Sequence, residues 1–153
     1  MFYWLSISLT AVDLISKLFV RYHMDVGDTK VFREGLLHFT YYQNSGAAGS
    51  SFQGYGRLFG VIAVLFIAFV VIYRKRRTDA SGVRLQDAGF AFLVAGAAGN
   101  GIERLLQGKV TDFLQFRPDG GILNIADLFI NVGVVILIGQ LLYESIRAKM
   151  KAA

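Results

Sequence analysis

The chain has 153 residues, of which 54% are hydrophobic and only 18% are charged, and it contains one proline and no cysteine. Average soluble domains carry about 25% charged residues, so this composition excludes a disordered chain and does not suit a small soluble domain. The absence of cysteine also excludes disulfide bonds and cysteine-ligated metals. Because a membrane-spanning helix needs about 20 apolar residues, the length allows four such helices, and we expect a single integral membrane domain over 1–153.

Four apolar stretches predict four transmembrane helices, at about 2–20, 58–73, 85–106 and 123–143. The second stretch carries no charge, but at 1.5 Å per residue it reaches only about 24 Å, which is less than the roughly 30 Å thickness of the hydrocarbon core. We therefore expect Arg57 and Arg74 to snorkel at its ends. The first stretch contains Asp13 and Lys17 and lacks both a charged start and a small-residue cleavage site. We therefore expect a retained helix there and not a cleaved signal peptide.

The positions of the basic residues predict the orientation. Half of the sixteen Lys and Arg residues lie between the second and third stretches or in the tail: Arg74, Lys75, Arg76, Arg77, Arg84, Arg147, Lys149 and Lys151. Basic residues that flank spans remain in the cytoplasm, which places both termini inside. The net charge of +5 is then a topology signal, and we expect no nucleic-acid partner, because aromatic and basic residues do not interleave on a soluble face.

This orientation leaves a long outer loop at about 21–57 and a shorter one at about 107–122. Residues 36–42 and 110–116 are rich in β-formers and predict short strands, and 118–121 predicts a tight turn. The expected fold is a mainly α membrane protein, with four transmembrane helices and a small extracytoplasmic β-rich subdomain.

Polar residues at membrane depth are costly and usually functional. Asp13 and Lys17 are four residues apart and share a helix face, so they form either a mutually neutralising pair or a pair that organises a neighbouring polar site. Residues 44–49 predict a small polar loop, which is either an ordinary connection or a segment that brings backbone groups close to a bound chain, because Gly46 permits close approach.

The small residues at 96–101 predict close helix packing, with Asn100 as a packing hydrogen bond or a site residue. Glu103 and Arg104 follow at the outer end of this helix, where a surface ion pair is the ordinary interpretation.

Asp112 and Asp127 flank the predicted turn at 118–121, and a reversal of the chain there can bring them together. Two carboxyls within hydrogen-bond reach share one proton, so one member can take a proton from water while the other polarises a carbonyl, as in aspartic peptidases.

Other catalytic chemistries are less favoured. Neither His23 nor His38 has an obvious Ser and Asp beside it, as serine-type catalysis would need, and two histidines are weak support for a zinc site. We therefore expect neither metal nor cofactor. From these residues alone, an intramembrane aspartic hydrolase and a proton-coupled carrier compete closely, although no inverted repeat is evident for a carrier. A non-catalytic helical scaffold would leave the two aspartates unexplained.

Five segments occur in an order and at depths that resemble lipoprotein signal peptidase, the signal peptidase II family of bacteria. They are Asp13-Leu14-Ile15-Ser16-Lys17, Asn44-Ser45-Gly46-Ala47-Ala48, residues 96–104, residues 108–113 and Asn124-Ile125-Ala126-Asp127. The resemblance covers essentially the whole chain. It implies a membrane aspartic peptidase of the bacterial cytoplasmic (inner) membrane that removes the signal peptide from prolipoproteins, cutting before a diacylglyceryl-modified cysteine.

The resemblance also implies roles for individual residues. Asp112 and Asp127 match the catalytic pair, and seven residues match positions that line or support the site: Asp13, Lys17, Asn44, Gly46, Asn100, Arg104 and Asn124. Among these, Asn44, Asn100 and Arg104 are expected to contact the substrate backbone or to brace the pair. The implied partners are the diacylglyceryl-prolipoprotein and membrane lipids, with a monomeric enzyme and an active site at the outer face. The chain departs from the usual family pattern at Gly49, Glu103, Thr111 and Leu123.

Overall fold

The computed structural model describes residues 1–47, 51–76, 83–117 and 120–152. Within them, four long helices and a four-stranded antiparallel sheet account for the regular structure: α1 Phe2–His23, β1 Thr29–Arg33, β2 Leu37–Asn44, α2 Gly56–Arg76, α3 Val83–Gln107, β3 Val110–Gln115, β4 Ile122–Leu123 and α4 Ile125–Ala152. Each predicted apolar stretch therefore forms a helix. Gly49, Arg77, Pro118 and Asp119 lie outside the described residues, and so does part of the predicted turn.

The helix bounds correct the predicted ones. The 16-residue stretch is part of the 21-residue α2, which reaches about 32 Å, so Arg57 and Arg74 lie within the helix instead of beyond its ends. α4 begins at Ile125 and continues through the basic tail to Ala152, because Lys, Arg, Glu and Ala are all good helix formers.

Three of the four helices are long and apolar enough to cross a membrane: Phe2–His23, Gly56–Arg76 and Ile125–Lys151. α3 has 25 residues but is less apolar, because it contains Asn100, Glu103, Arg104 and several glycines. It packs against α1, α2 and α4, and Ala91 and Ala95 on it are fully buried. α3 therefore meets protein on most sides and does not need the apolar surface that lipid would demand.

The sheet joins the two predicted outer loops. Its strands follow the order β1-β2-β3-β4, and all neighbours are antiparallel. β2 and β3 confirm the two predicted strands and pair with each other, with Tyr42 opposite Asp112. β1 is exposed along its whole length, whereas β3 is buried through Leu114. Val20 at the end of α1 packs with Tyr41 and Phe113, so the sheet lies where α1 ends and α4 begins.

The small residues of α3 confirm the predicted close packing. A Cβ on Gly96 would overlap Ala126 O and Ile130 on α4, and one on Gly99 would overlap the Asp13 carboxylate on α1. These glycines set the distance between the helices.

Gly99→Ala should therefore destabilise the protein and lower its activity, because the new methyl group displaces the Asp13 carboxylate from its place against α3. Overpacking of this kind costs about 1–3 kcal/mol. Gly139→Ala is the matched control: nothing lies within 4 Å of a Cβ there, and alanine favours the helix, so its unfolding temperature should stay the same or rise. Thermal unfolding in detergent micelles measures both, and equal unfolding temperatures would contradict the packing argument.

Candidate active site

Asp112 lies in the middle of β3 and is 3% exposed. Two side-chain amides hold its carboxyl: Asn44 Nδ2 donates to Oδ2 at 3.0 Å, and Asn124 Nδ2 donates to Oδ1 at 2.6 Å. Burial raises the pKa of Asp112 from 3.8 to about 6, and the negative charge of Asp127 adds to this rise, against the opposing effect of the two amides and of Lys17. Asp112 is thus suited to hold a proton.

Asp127 occupies the first turn of α4 and forms a capping box with Asn124. The backbone N–H of Asp127 donates to Asn124 Oδ1 at 3.0 Å, and the backbone N–H of Asn124 donates to Asp127 Oδ2 at 3.1 Å. Asn100 Nδ2 donates to the other carboxylate oxygen of Asp127 at 2.8 Å. Asp127 therefore accepts two hydrogen bonds in the first turn of a helix.

Asn124 contacts both aspartates, so the chain brings Asp112 and Asp127 together as the sequence predicted. We call this pair the dyad. β3 pairs with β4 through Leu114 and Leu123, and this reversal returns the chain to the start of α4 beside Asp112. The catalytic role of the dyad stays a prediction.

Asp13 and Lys17 are fully buried and do more than neutralise each other. Lys17 Nζ lies 2.7 Å from Asp13 Oδ2 and donates to Asn100 Oδ1 at 2.8 Å. The other oxygen of Asp13 accepts the backbone N–H of Ala126 at 2.8 Å, which satisfies a second free donor at the start of α4. Of the two interpretations of this pair, the structure favours the one in which it organises a neighbouring polar site. Because Lys17 donates to the Asn100 carbonyl, the Asn100 NH₂ group must point towards Asp127.

The surface ion pair suggested for Glu103 and Arg104 is wrong. Glu103 is only 2% exposed, and its carboxylate accepts the backbone N–H of Thr111 at 2.8 Å and the Thr111 hydroxyl at 3.0 Å. It also pairs with Arg21 and lies 3.5 Å from Lys17. Glu103 therefore ties α3 to α1 and to the residue that precedes Asp112.

Glu103, Arg21 and Thr111 were not predicted as parts of this cluster. A signal was present, because Asp13, Lys17 and Arg21 are spaced by four and share one face of α1. One acid and two bases on a face that is partly buried require another acid from elsewhere, and Glu103 meets this need.

Gly46 and Arg104 shape the loop beside Asp112. Arg104 Nη2 donates to Gly46 O at 2.9 Å, and the Gly46 N–H donates to Asn44 Oδ1 at 2.9 Å. A Cβ on Gly46 would overlap the backbone carbonyl of Ser51, so the close approach predicted there is made by the chain itself. The loop fixes Asn44, which in turn holds Asp112.

A cavity of about 620 Å³ opens at the dyad. Its polar end contains Asn44, Asn100, Arg104, Asp112, Asn124 and Asp127. Its remaining wall is mainly apolar and comes from α2, α3 and α4: Phe59, Ile62, Ala63, Phe66, Leu93, Ala97 and Ile130. Among the described residues, no group of three His, Asp or Glu side chains could hold a metal ion. The arrangement presents two carboxyls to one end of a groove that suits an apolar ligand.

Membrane-length helices with a carboxyl pair at one end of an apolar cavity define a multi-pass membrane protein with a site that resembles the active site of an enzyme. A solved structure described as a bacterial membrane enzyme is similar, with a TM-score of 0.85 and 28% identity over 94% of this chain and 88% of the other.

The family model for signal peptidase (SPase) II matches residues 5–143. The lipoprotein signal peptidase of Listeria welshimeri serovar 6b is 32% identical over 97% of each chain, and that of a Synechocystis species is 38% identical over 90% of this chain and 85% of its own. The chain belongs to the signal peptidase II family. This membership makes it a peptidase, and nothing in the comparisons supports a proton-coupled carrier.

Proposed function

We propose that the chain is an aspartic endopeptidase that removes the signal peptide from diacylglyceryl-modified prolipoproteins and cleaves just before the lipidated cysteine. Family membership supports the removal of signal peptides from prolipoproteins. The observation that carries the aspartic type is that Asn124 holds Asp112 and Asp127 together at the polar end of an apolar cavity.

The two aspartates differ in their surroundings, and this difference assigns their roles. Asp127 accepts hydrogen bonds from Asn100 and from the Asn124 backbone at a helix N-terminus, so it carries the charge and acts as the general base. Asp112 is buried and its pKa is raised to about 6, so it keeps the shared proton and acts as the general acid.

In the reaction, Asp127 takes a proton from a water molecule, whose oxygen attacks the carbonyl carbon of the scissile peptide bond. Asp112 donates its proton towards the carbonyl oxygen and stabilises the tetrahedral intermediate. The proton on Asp127 then passes to the leaving nitrogen, and the C–N bond breaks. As the C=O bond reforms, the hydroxyl of the intermediate returns its proton to Asp112, so the dyad again holds one proton. No covalent intermediate and no cofactor is needed.

We further propose that α3 also spans the membrane, which gives four spans in a single integral domain over 1–153. The Arg74 guanidinium lies 4.7 Å from the Phe2 ring, so the basic end of α2 and the start of α1 are at the same end of the helices, away from the sheet. With basic residues inside, both termini face the cytoplasm, and the dyad and sheet lie at the outer face of the bacterial cytoplasmic membrane. The site is built entirely within one chain, which is consistent with a monomer.

The test is to incubate the purified protein with two forms of one precursor, one diacylglyceryl-modified and one with a free cysteine thiol. The modified form alone should be shortened, and mass spectrometry should find the lipidated cysteine at the new N-terminus. A preparation of Asp127→Asn, purified in the same way, controls for contaminating proteases. Cleavage of neither precursor would contradict the proposed function, and equal cleavage of both would contradict lipid recognition.

A further inference from the structure

Asn131 lies one turn beyond Asp127 on α4 and lines the same cavity. Residues four apart share a helix face, so its side chain is about 6 Å further along the helix axis from the sheet. The side chain is exposed, and its carboxamide has no hydrogen-bond partner among residues 1–47, 51–76, 83–117 and 120–152. None of the mechanistic steps above uses it.

The cavity wall around Asn131 is apolar, with Ile130, Leu93 and Ala97 among its residues. An unpaired amide in apolar surroundings costs free energy, and inside a membrane such a cost usually marks a functional group. A primary amide offers two N–H donors and one carbonyl acceptor. We therefore expect the Asn131 amide to form a hydrogen bond with a polar group of the ligand that occupies this cavity.

The proposed substrate brings three kinds of group past the dyad. The backbone carbonyls of a helical signal peptide are already hydrogen-bonded within that helix, because the membrane permits no unsatisfied backbone. The acyl tails offer no acceptor. The two ester carbonyls of the diacylglyceryl group are acceptors without a donor of their own, and they lie a few bonds from the cysteine sulfur, within reach of one helical turn from the scissile bond.

We propose that Asn131 donates its Nδ2–H to an ester carbonyl of the substrate's diacylglyceryl group and so contributes to recognition of the lipid. This inference rests on the proposed function and assigns one residue to its lipid specificity. The hydrogen bond is made in the ground state and in the transition state alike, so it lowers KM and leaves kcat unchanged.

The test compares two lipidated precursors of equal chain length, one with ester-linked acyl chains and one with ether-linked alkyl chains that lack both carbonyls. For the wild-type protein, KM should be about threefold to tenfold higher for the ether-linked precursor, as expected for one hydrogen bond. Asn131→Leu should raise KM for the ester-linked precursor by the same factor, leave KM for the ether-linked precursor unchanged, and alter kcat less than twofold.

Val132→Leu is the matched control, because Val132 is on the same helix, is 41% exposed and is not among the cavity-lining residues. Its KM values should equal those of the wild type. Equal wild-type KM values for the two precursors, or an Asn131→Leu effect of the same size on both, would overturn the inference while the proposed function stands. If the wild type cleaved neither precursor, the proposed function itself would fail.

Discussion

Asp127→Asn should lower the rate of cleavage of a lipidated precursor by about 10²–10⁴-fold, because asparagine cannot take a proton from water and general acid–base catalysis contributes a factor of this size. Asp112→Asn should cause a loss of the same order, since neither carboxyl completes the reaction without the other. The double variant should be no slower than either single variant, because the two residues act as a unit. Single-turnover cleavage assays measure the rates of all three variants, and full activity in either single variant would contradict the assignment of the dyad as catalytic.

Asp112→Asn should also change how the stability of the protein depends on pH. The raised pKa of Asp112 means that its charged form is disfavoured in the fold, so the contribution of this residue to stability is fully present below about pH 4 and is lost as the pH rises through about 6. Asp112→Asn removes that charge, although one oxygen that accepts an amide hydrogen bond becomes an NH₂ group. Its unfolding temperature relative to the wild type should therefore increase from pH 4 to pH 7. A difference that does not vary with pH would contradict the buried, proton-holding Asp112.

Lys17→Met should destabilise the protein by about 3–5 kcal/mol, the usual cost of removing one partner from a buried ion pair. The substitution leaves the carboxylates of Asp13 and Glu103 buried without their shared cation. It also frees the Asn100 amide to turn its carbonyl towards Asp127, so activity should fall as well. Denaturant or thermal unfolding in micelles and the cleavage assay measure the two effects separately.

Lys149→Met is the matched control, because Lys149 is exposed near the end of α4, where we expect it to form no ion pair. Adding Asp13→Asn to Lys17→Met should recover part of the lost stability, since it removes the carboxylate that Lys17 had neutralised, whereas Glu103 keeps its ion pair with Arg21. If Lys17→Met unfolded at the same temperature as Lys149→Met, the buried ion pair would not stabilise the protein as expected.

The helices and strands could be predicted because each follows from a local pattern. An apolar stretch such as 58–73 cannot remain unfolded in a membrane, and the β-branched and aromatic residues at 36–42 and 110–116 favour extended backbone. The helix ends were less predictable, since polar residues such as those at the end of α4 continue a helix whenever their propensity allows it.

The pairing of β2 with β3 could not be predicted, because it joins residues such as Tyr42 and Asp112 that are 70 positions apart, and two helices lie between them. The approach of Asp112 to Asp127 was predictable from a turn between them, but the bridging of both by Asn124 was not. The role of Glu103 was missed because a charged residue at a predicted helix end is usually solvated, and its burial depends on contacts with two other elements, α1 and β3.

The cluster around the dyad is electrically neutral in one protonation state of the dyad only. Lys17, Arg21 and Arg104 supply three positive charges, and Asp13 and Glu103 supply two negative ones, so a single positive charge remains. A dyad that holds one proton carries one negative charge and balances it, whereas a dyad with two protons or none leaves the cluster charged in a medium that solvates ions poorly. Electroneutrality of this cluster therefore favours a single proton on the dyad, which is the proton count that the proposed mechanism needs, and the membrane potential should then exert little net force on the site.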